Sequence, residues 1–184
     1  ERLEEINDIP SAEGVELFEP EDHDIVFKNV SFAYDDELVL DNVSFTAKEG
    51  EVTALVGPSG SGKSTCARLA ARLWDVKDGS IEVGGVDIKT GDPETLLTDY
   101  SMVFQDVVLF DDTVMENIRL GKHGASDEEV LAAAAAANCD EFVNKLPEGY
   151  KTEIGENGAK LSGGERQRIS IARALLKNAP IVLL

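Results

Sequence analysis

The feature that most constrains the fold is a glycine-rich loop, GPSGSGKS at residues 57–64, which stands between an apolar run and a helical pattern. The apolar run at residues 52–56 predicts a short buried strand, because it is rich in β-branched residues and stops at glycine. Residues 65–73 predict a helix. A strand, a glycine loop and a helix in this order form the context that a phosphate-binding loop requires.

The residues of this loop suit a bound phosphate. Gly57, Gly60 and Gly62 allow the backbone to curl so that several N–H groups point at an anion, and the helix start adds its positive dipole end. We expect Lys63 to reach the outer phosphates and the Ser64 hydroxyl to hold Mg²⁺. The alternative is a chance glycine turn, but the flanking strand and helix favour a chain that binds a nucleoside triphosphate.

The sequence is strongly acidic. Its net charge is −19, from 36 acidic and 17 basic side chains among 184 residues. A surface of this sign repels nucleic acid and anionic lipid headgroups. We therefore expect no nucleic-acid partner.

Cysteine spacing and the absence of a long apolar run indicate a soluble, cytosol-facing chain. Cys66 and Cys139 lie far apart, with no CxxC motif or histidine cluster, so we expect free thiols in a reducing compartment and no zinc site. No apolar run approaches the roughly 18 residues that a membrane crossing needs, and no secretory signal opens the sequence.

Short alternating runs on both sides of the loop predict an antiparallel β layer around an α/β core. Gly84-Gly85, between two of these runs, is a strong signal for a two-residue hairpin. The predicted strand segments are residues 25–27, 30–34, 39–40, 43–46, 80–83 and 86–88.

The second half of the chain changes from strands to helices. Residues 102–104 predict one more buried strand, which ends at Gln105. Ser126 and Glu129 form a capping box before an alanine-rich helix that we expect to continue to about Leu146. The pattern predicts a helical insertion in the nucleotide-binding core.

A second glycine-edged helix start lies at residues 161–165, LSGGE. Ser162 can cap the helix, and Gly163 and Gly164 leave its first N–H groups accessible to an anion. Taken alone, these residues could also form an ordinary helix cap. Beyond this helix, residues 181–184 predict a fully buried parallel strand.

GPSGSGKST, the glutamine-ended strand and LSGGERQRISIARAL together resemble the nucleotide-binding domain of an ABC transporter over nearly the whole chain. The resemblance implies an α/β fold, a P-loop NTPase core of the ABC type with an antiparallel β layer, an inserted α-helical subdomain and the C-terminal part of the core missing. The implied domains are a linker after a membrane domain (1–22) and the nucleotide-binding domain (23–184). The second of these would comprise a β layer and P-loop core (23–105), a helical subdomain with the signature helix (106–178) and the start of the Walker B strand (179–184).

The resemblance also implies ATP and Mg²⁺ as ligands. Lys63 and Gln105 would be catalytic, Gln105 would join Ser64 in holding Mg²⁺, and Tyr34 would stack on the adenine. The residues expected to bind the chain's own ATP are Tyr34, Gly57, Ser59, Gly60, Ser61, Gly62, Lys63, Ser64, Thr65 and Gln105. Those expected to bind the ATP of a partner copy are Ser162, Gly163, Gly164 and Glu165.

Two further stretches, LFDDTVMENIRLG at residues 109–121 and TEIGENGAK at residues 152–160, resemble the exporter branch of the family. The implied function is an ATP-binding and hydrolysing motor domain that couples ATP-driven dimerisation to substrate translocation across a membrane. The implied partners are a second nucleotide-binding domain, as a homo- or heterodimer, and the transmembrane domains of the same transporter. This places the domain at the cytoplasmic face of the cell membrane.

The family pattern continues after residues 181–184 with the Walker B Asp, a catalytic Glu and later a switch His, which this sequence does not contain. We therefore expect the fragment to be inactive alone. Two other interpretations are a soluble ABC-family ATPase that acts on DNA or ribosomes and a nucleotide module that only binds. The acidic surface and the interval of about a hundred residues between Lys63 and Ser162 disfavour the first of these.

Overall fold

The computed structural model describes residues 18–35, 37–104 and 106–184. The chain divides into two compact units between Asp99 and Tyr100. Within the described ranges, no helix combines the length and the apolar character that a membrane crossing demands.

The first unit is built on a four-stranded antiparallel sheet in the order β2-β1-β3-β4. Its strands are β1 (Ile25–Tyr34), β2 (Glu37–Ala47), β3 (Asp78–Val83) and β4 (Val86–Asp87). Both pairings of β1 shift register near Asn29, which has a φ of 52°. The sheet confirms the antiparallel β layer and the hairpin that the alternating runs predicted.

One face of this sheet is buried because apolar and polar side chains alternate along its strands. Phe27, Ile81 and Val83 are at most 2% exposed. On the opposite face, Lys28 Nζ and Glu82 Oε2 form an ion pair at 2.6 Å. The alternation fixes the register, since a slip by one residue would bring the charged pair into the core.

In its described residues the first unit also contains two helices, α1 (Lys63–Ala70) and α2 (Pro93–Thr98). α1 is confirmed, although it ends before residue 73. Arg72 takes a φ of 51°, and the N–H of Leu73 donates to the carbonyl of Arg68 at 2.9 Å. This left-handed turn closes the helix.

The strand predicted at residues 52–56 is wrong. These residues are in no strand, and Val52 and Val56 are 99% and 89% exposed. An apolar β-branched run becomes a strand only where a neighbouring strand satisfies its N–H and C=O groups. Both sheets of the described ranges form without this segment, so the glycine loop follows an exposed stretch of backbone.

The second unit combines helices with a two-stranded parallel sheet. Its elements are β5 (Tyr100–Met102), α3 (Val114–Arg119), α4 (Asp127–Ala136), α5 (Asp140–Val143), α6 (Gly163–Lys177) and β6 (Ile181–Leu183), with two 3₁₀ turns at Gly149–Lys151 and Glu156–Gly158. The helices share one apolar core that includes Val114, Ile118, Val130, Ile154 and Ile169, all 0% exposed.

The alanine-rich helix is shorter than predicted because a turn at Asn138 interrupts it. Asn138 has a φ of 56°, and the N–H of Cys139 donates to the carbonyl of Ala134 at 2.9 Å. Asparagine tolerates this left-handed conformation, which ends helices. The turn directs Cys139, a free thiol, into the core, where burial raises its pKa to about 11.

The parallel pairing predicted for the last strand is confirmed, but its complete burial is wrong. β6 pairs with β5. Strand β5 begins two residues before the strand predicted at residues 102–104. Ile181 is 7% exposed, whereas Val182 is 48% and Leu184 88% exposed. A parallel strand is buried on both faces only when other elements cover both, and in the described ranges β5 is the only strand beside β6.

Replacement of Gly84 by alanine tests the β3–β4 hairpin. Gly84 has a φ of +52°, and a Cβ there would lie 2.1 Å from the carbonyl oxygen of Asp22. Because this backbone must move to make room, we expect Gly84→Ala to lower the free energy of unfolding by about 2–4 kcal/mol. Chemical denaturation measures the loss.

Gly85→Ala is the matched control for this substitution. Gly85 has a φ of +79°, but no described atom lies within 4 Å of its added Cβ. The control therefore carries only the strain of the left-handed backbone, about 1–2 kcal/mol. Equal losses in the two variants would contradict the close packing assigned to Gly84.

Candidate functional site

The glycine loop curls back on itself. Gly60 and Gly62 have φ values of +81° and +84°, a geometry that other residues adopt only with strain. The N–H of Ser61 donates to the carbonyl of Pro58 at 3.3 Å, and a Cβ at Gly57 would lie 2.7 Å from Ser61 Oγ. The loop is thus tight, and its side chains lie at the surface.

The side chain of Lys63 folds into this curl. Its Nζ donates to the carbonyl oxygens of Gly57 at 3.0 Å and Pro58 at 2.7 Å, and lies 3.4 Å from Ser61 Oγ. All three acceptors are neutral, and an ammonium group bonds more strongly to an anionic oxygen. The loop therefore holds a positive charge whose present partners a phosphate can replace.

Helix α1 begins directly after the loop. Its N-cap residue is Gly62, which makes no side-chain hydrogen bond to the first turn. Ser64 is exposed, whereas Thr65 is 7% exposed. The helix start can offer N–H groups and the Ser64 hydroxyl to a ligand. The residues that the fold brings together here are Gly57, Ser59, Gly60, Ser61, Gly62, Lys63, Ser64 and Thr65.

Tyr34 lies at the end of β1 with its ring edge-to-face against two others. Its ring centroid is 4.8 Å from that of Phe32 and 5.4 Å from that of Trp74. Trp74 is 52% exposed. Sequence reasoning missed Trp74, whose one signal was that it is the single tryptophan of the chain. Tyr34 and Trp74 together form an aromatic surface of the kind on which a flat base can stack.

Gln105, expected to hold Mg²⁺ and to take part in catalysis, lies outside the described residues. The segment that follows it is held by Asn117, which is 0% exposed. Asn117 Oδ1 accepts a hydrogen bond from the N–H of Phe110 at 2.9 Å, and its Nδ2 donates to the Phe110 carbonyl at 3.0 Å. The side chain thus replaces a regular backbone partner for this segment.

Arg173, on α6, extends this network to that helix. Its guanidinium donates to the Asn117 carbonyl at 2.6 Å, to Asn117 Oδ1 at 2.8 Å and to the Val108 carbonyl at 2.7 Å. Burial lowers the pKa of Arg173. The pair ties three pieces together: α3, α6 and the segment after Gln105. Sequence reasoning missed both residues; the available signal was an asparagine, a poor helix former, inside a short helix.

Helix α6 begins at the predicted place, with Ser162 as its N-cap. The N–H of Glu165 donates to Ser162 Oγ at 3.4 Å, and the N–H of Ser162 donates to Glu165 Oε2 at 2.7 Å. This reciprocal arrangement is a capping box. The backbone and hydroxyl hydrogen bonds from Ser162 hold the pKa of Glu165 below its usual range.

The tip of α6 is accessible from outside. Gly163 and Gly164 are exposed, and no described atom lies within 4 Å of a Cβ built on Gly164. By contrast, a Cβ on Gly158, in the turn that precedes the helix, would lie 2.7 Å from Leu109 Cδ1. A Cβ at the turn glycine would press on the Leu109 side chain, whereas at Gly164 it would meet open space.

Asn117→Ala tests the buried network of the second unit. The substitution leaves the N–H and carbonyl of Phe110 and one Arg173 bond without their buried partner, so we expect a loss of about 2–4 kcal/mol in the free energy of unfolding. Chemical denaturation measures it. Asn144→Ala, at an exposed position on the same unit, should change stability by less than about 0.5 kcal/mol; similar losses in both would refute the role of the network.

Acid titration of stability tests the two capping boxes. The hydrogen bond from Lys122 lowers the pKa of Glu129, and those from Ser162 lower the pKa of Glu165. Because the folded pKa values lie below the unfolded ones, the stabilisation is complete above the unfolded pKa and is lost as the pH falls through the folded pKa.

We therefore expect the double variant Glu129→Gln and Glu165→Gln to lose less stability than the natural chain between about pH 6 and pH 2. Denaturation at a series of pH values measures this difference. Glu128→Gln removes one negative charge at an exposed position beside Glu129 and serves as control. An acid response of the double variant equal to that of the natural chain would contradict the assignment.

Comparison with known proteins places these features in a family. A profile described as "ABC transporter" matches residues 40–184. A solved structure described as a bacterial Atm1-family ABC exporter with ATP bound is similar with a TM-score of 0.92 and 43% identity, covering 98% of this chain and 32% of that chain.

Curated relatives are similar over most of this sequence. The ATP-dependent lipid A-core flippase of Syntrophus aciditrophicus is 53% identical over 160 residues, 87% of this chain and 27% of the flippase. The mycobactin import ATP-binding/permease protein IrtB of Mycolicibacterium thermoresistibile is 50% identical over 159 residues, 86% of this chain and 28% of that protein.

The chain spans less than a third of the length of these relatives, at 27% to 32%. The likeness to the exporter structure shows the P-loop NTPase fold of the ABC type, as the resemblance implied. Since the profile covers well over half of the sequence, the chain belongs to the ABC transporter family.

Proposed function

We propose that this chain belongs to the ATP-binding and hydrolysing motor domain of an ABC transporter, in which ATP-driven dimerisation is coupled to movement of a substrate across a membrane. The observation that carries the proposal is the curled glycine loop with the Lys63 ammonium inside it, at the start of an uncapped helix. Membership of the ABC transporter family supports ATP as the nucleotide and transport as the task.

Lys63 supplies the positive charge for the phosphates. Its Nζ exchanges the neutral carbonyls of Gly57 and Pro58 for phosphate oxygens, which are stronger acceptors. The first N–H groups of α1 add the positive end of the helix dipole. Together these groups bind and orient a polyphosphate, which is most of what catalysis of phosphoryl transfer asks of a protein.

Mg²⁺ fits the exposed hydroxyl of Ser64, an oxygen donor of the kind this ion prefers. Gln105 is the second expected ligand. When bound, the ion neutralises charge on the phosphate oxygens. Tyr34, with Trp74 beside it, is proposed as the platform for the adenine ring.

The tip of α6 is proposed to bind the ATP of a second copy. Ser162, Gly163 and Gly164 present a helix start that is open at the surface, and a helix start attracts anions. Two nucleotides would then be held between two nucleotide-binding domains, as a homo- or heterodimer. Hydrolysis would remove the shared ligand and loosen the dimer.

The remaining partners are the transmembrane domains of the same transporter, which would place this chain at the cytoplasmic face of a membrane. The relatives are named both as a flippase and as an import protein. The class of transported substrate and the direction of transport therefore belong to the membrane part, and we propose only the motor role for this chain.

Lys63→Ala tests nucleotide binding. Loss of a charged donor to phosphate should weaken ATP binding about 10- to 100-fold, since such bonds contribute about 1.5–3 kcal/mol. Titration calorimetry or a fluorescent ATP analogue measures the dissociation constant. Lys89→Ala, an exposed lysine of the same unit, is the matched control and should leave it unchanged. Unaltered binding in Lys63→Ala would refute the proposed function.

A further inference from the structure

The hydroxyl of Ser162, the N-cap residue of α6, already forms a hydrogen bond in this structure. Ser162 Oγ donates to Glu165 Oε2 at 2.8 Å, and the N–H of Ser162 donates to the same oxygen at 2.7 Å. One carboxylate oxygen therefore holds both donors of the N-cap residue. These are charge-assisted hydrogen bonds, which are about twice as strong as neutral ones.

The other capping box of the second unit shows that this arrangement is particular to α6. At the start of α4, the N–H of Ser126 donates to Glu129 Oε2 at 2.8 Å, while Lys122 Nζ pairs with Glu129 Oε1 at 2.5 Å. Within the described ranges no lysine or arginine forms an ion pair with Glu165; Arg168 and Lys145 act on it only from a distance. Its negative charge is therefore not neutralised by a direct partner.

The two helix starts also differ in what surrounds the cap. α4 continues with Asp127 and Glu128, whose charges repel an anion. α6 continues with Gly163 and Gly164, which are exposed and leave space at the tip. The helix start that an anion can approach is thus the one whose cap carries an unpaired carboxylate.

We propose that Glu165, which the resemblance implied as a ligand of the partner's ATP, is instead a positioning residue that competes with the incoming triphosphate for the Ser162 hydroxyl and opposes its approach by charge. The inference deepens the proposed function and rests on it. While the two nucleotide-binding domains are apart, the carboxylate caps α6 and stabilises its first turn. When the partner's ATP arrives, Ser162 turns its hydroxyl from the carboxylate to the phosphate, and the Glu165 charge raises the ATP concentration that closure requires.

The substitution that separates these roles is Glu165→Gln. A glutamine at this position still accepts the N–H of Ser162, so the capping box survives, but the charge is removed and the hydroxyl is held by a weaker acceptor. Two opposite effects follow. Without nucleotide, the protein should melt about 1–3 °C lower, because a negative charge near a helix N-terminus is stabilising. With nucleotide, closure should need about three- to tenfold less ligand.

The experiment uses the full-length protein with Mg²⁺ and the β,γ-imido analogue of ATP. Hydrogen–deuterium exchange of the peptide that covers residues 160–169 reports protection of the helix tip as the analogue is titrated. The measured quantity is the analogue concentration at half-maximal protection, and thermal unfolding without nucleotide is measured in parallel. Neither readout depends on turnover.

Glu128→Gln is the matched control, since it removes one exposed charge from the first turn of α4 on the same unit. It should leave the half-maximal concentration unchanged. The shift seen for Glu165→Gln should shrink as salt rises from about 0.05 to 0.5 M, because salt screens charge repulsion. A residue that only supports the fold would move stability and closure in the same direction.

The outcomes separate this inference from the function on which it rests. Lower stability together with tighter closure and a salt-dependent shift supports the role of Glu165. Equal half-maximal concentrations in Glu165→Gln and the natural protein, with protection present in both, overturn the inference and leave the proposed function standing. Absence of protection in the natural protein at saturating analogue overturns both.

Discussion

The first N–H groups of a helix have no partner inside it, and this chain meets that constraint in two opposite ways. At α1 the N-cap is Gly62, which offers no side-chain acceptor, and a lysine ammonium stands beside the helix start. At α6 the cap is Ser162 with Glu165, so the helix brings its own anion. In the function proposed for this chain, an external phosphate would complete the first helix start, whereas at the second it would have to displace a group already present.

The rest of the second unit fixes the position of helix α6. The start of α6 has a defined position only if the rest of the helix is fixed by packing. Ile169 and Ala172 are accordingly 0% exposed in the shared core. Arg173 and Asn117 add hydrogen bonds of defined direction to that apolar contact. Apolar burial supplies stability without direction, and a satisfied polar network specifies one arrangement of α3, α6 and the segment after Gln105.

What the sequence predicted well was local. Alternation along Phe27, Ile81 and Val83 and the Gly84-Gly85 pair were enough for the antiparallel sheet, because side-chain period and turn chemistry lie within a few residues. The loop residues and the α6 cap were found for the same reason. The position of the glycine loop could thus be read from one short motif, whereas the burial predicted for the run before it was wrong.

Most of what the sequence did not predict depends on distant partners; the turn at Asn138 is local and is the exception. Residues 52–56 have the composition of a strand, but pairing decides whether they form one. The alanine run favours a continuous helix, and only the left-handed turn at Asn138 interrupts it. Arg173 and Asn117 stand 56 residues apart, so no local pattern joins them. Trp74 and its contact with Tyr34 were missed in the same way.

A helix tip that serves a ligand need not be capped as well as possible. Serine and glutamate at the N-cap and N3 positions are the best local solution for α6, and by that measure Glu165 is an ordinary stabilising residue. In the proposed complex the same carboxylate would be unfavourable, because it and the triphosphate, two anions, would compete for one hydroxyl and one helix dipole. The Ser162 hydroxyl and the Glu165 carboxylate would therefore affect both the stability of the separate domain and its proposed affinity for the shared nucleotide. A domain that opens after each cycle, as we propose for this chain, would benefit from an open state with a stable structure of its own, because the ligand would then shift an equilibrium between two ordered states rather than order a frayed helix end.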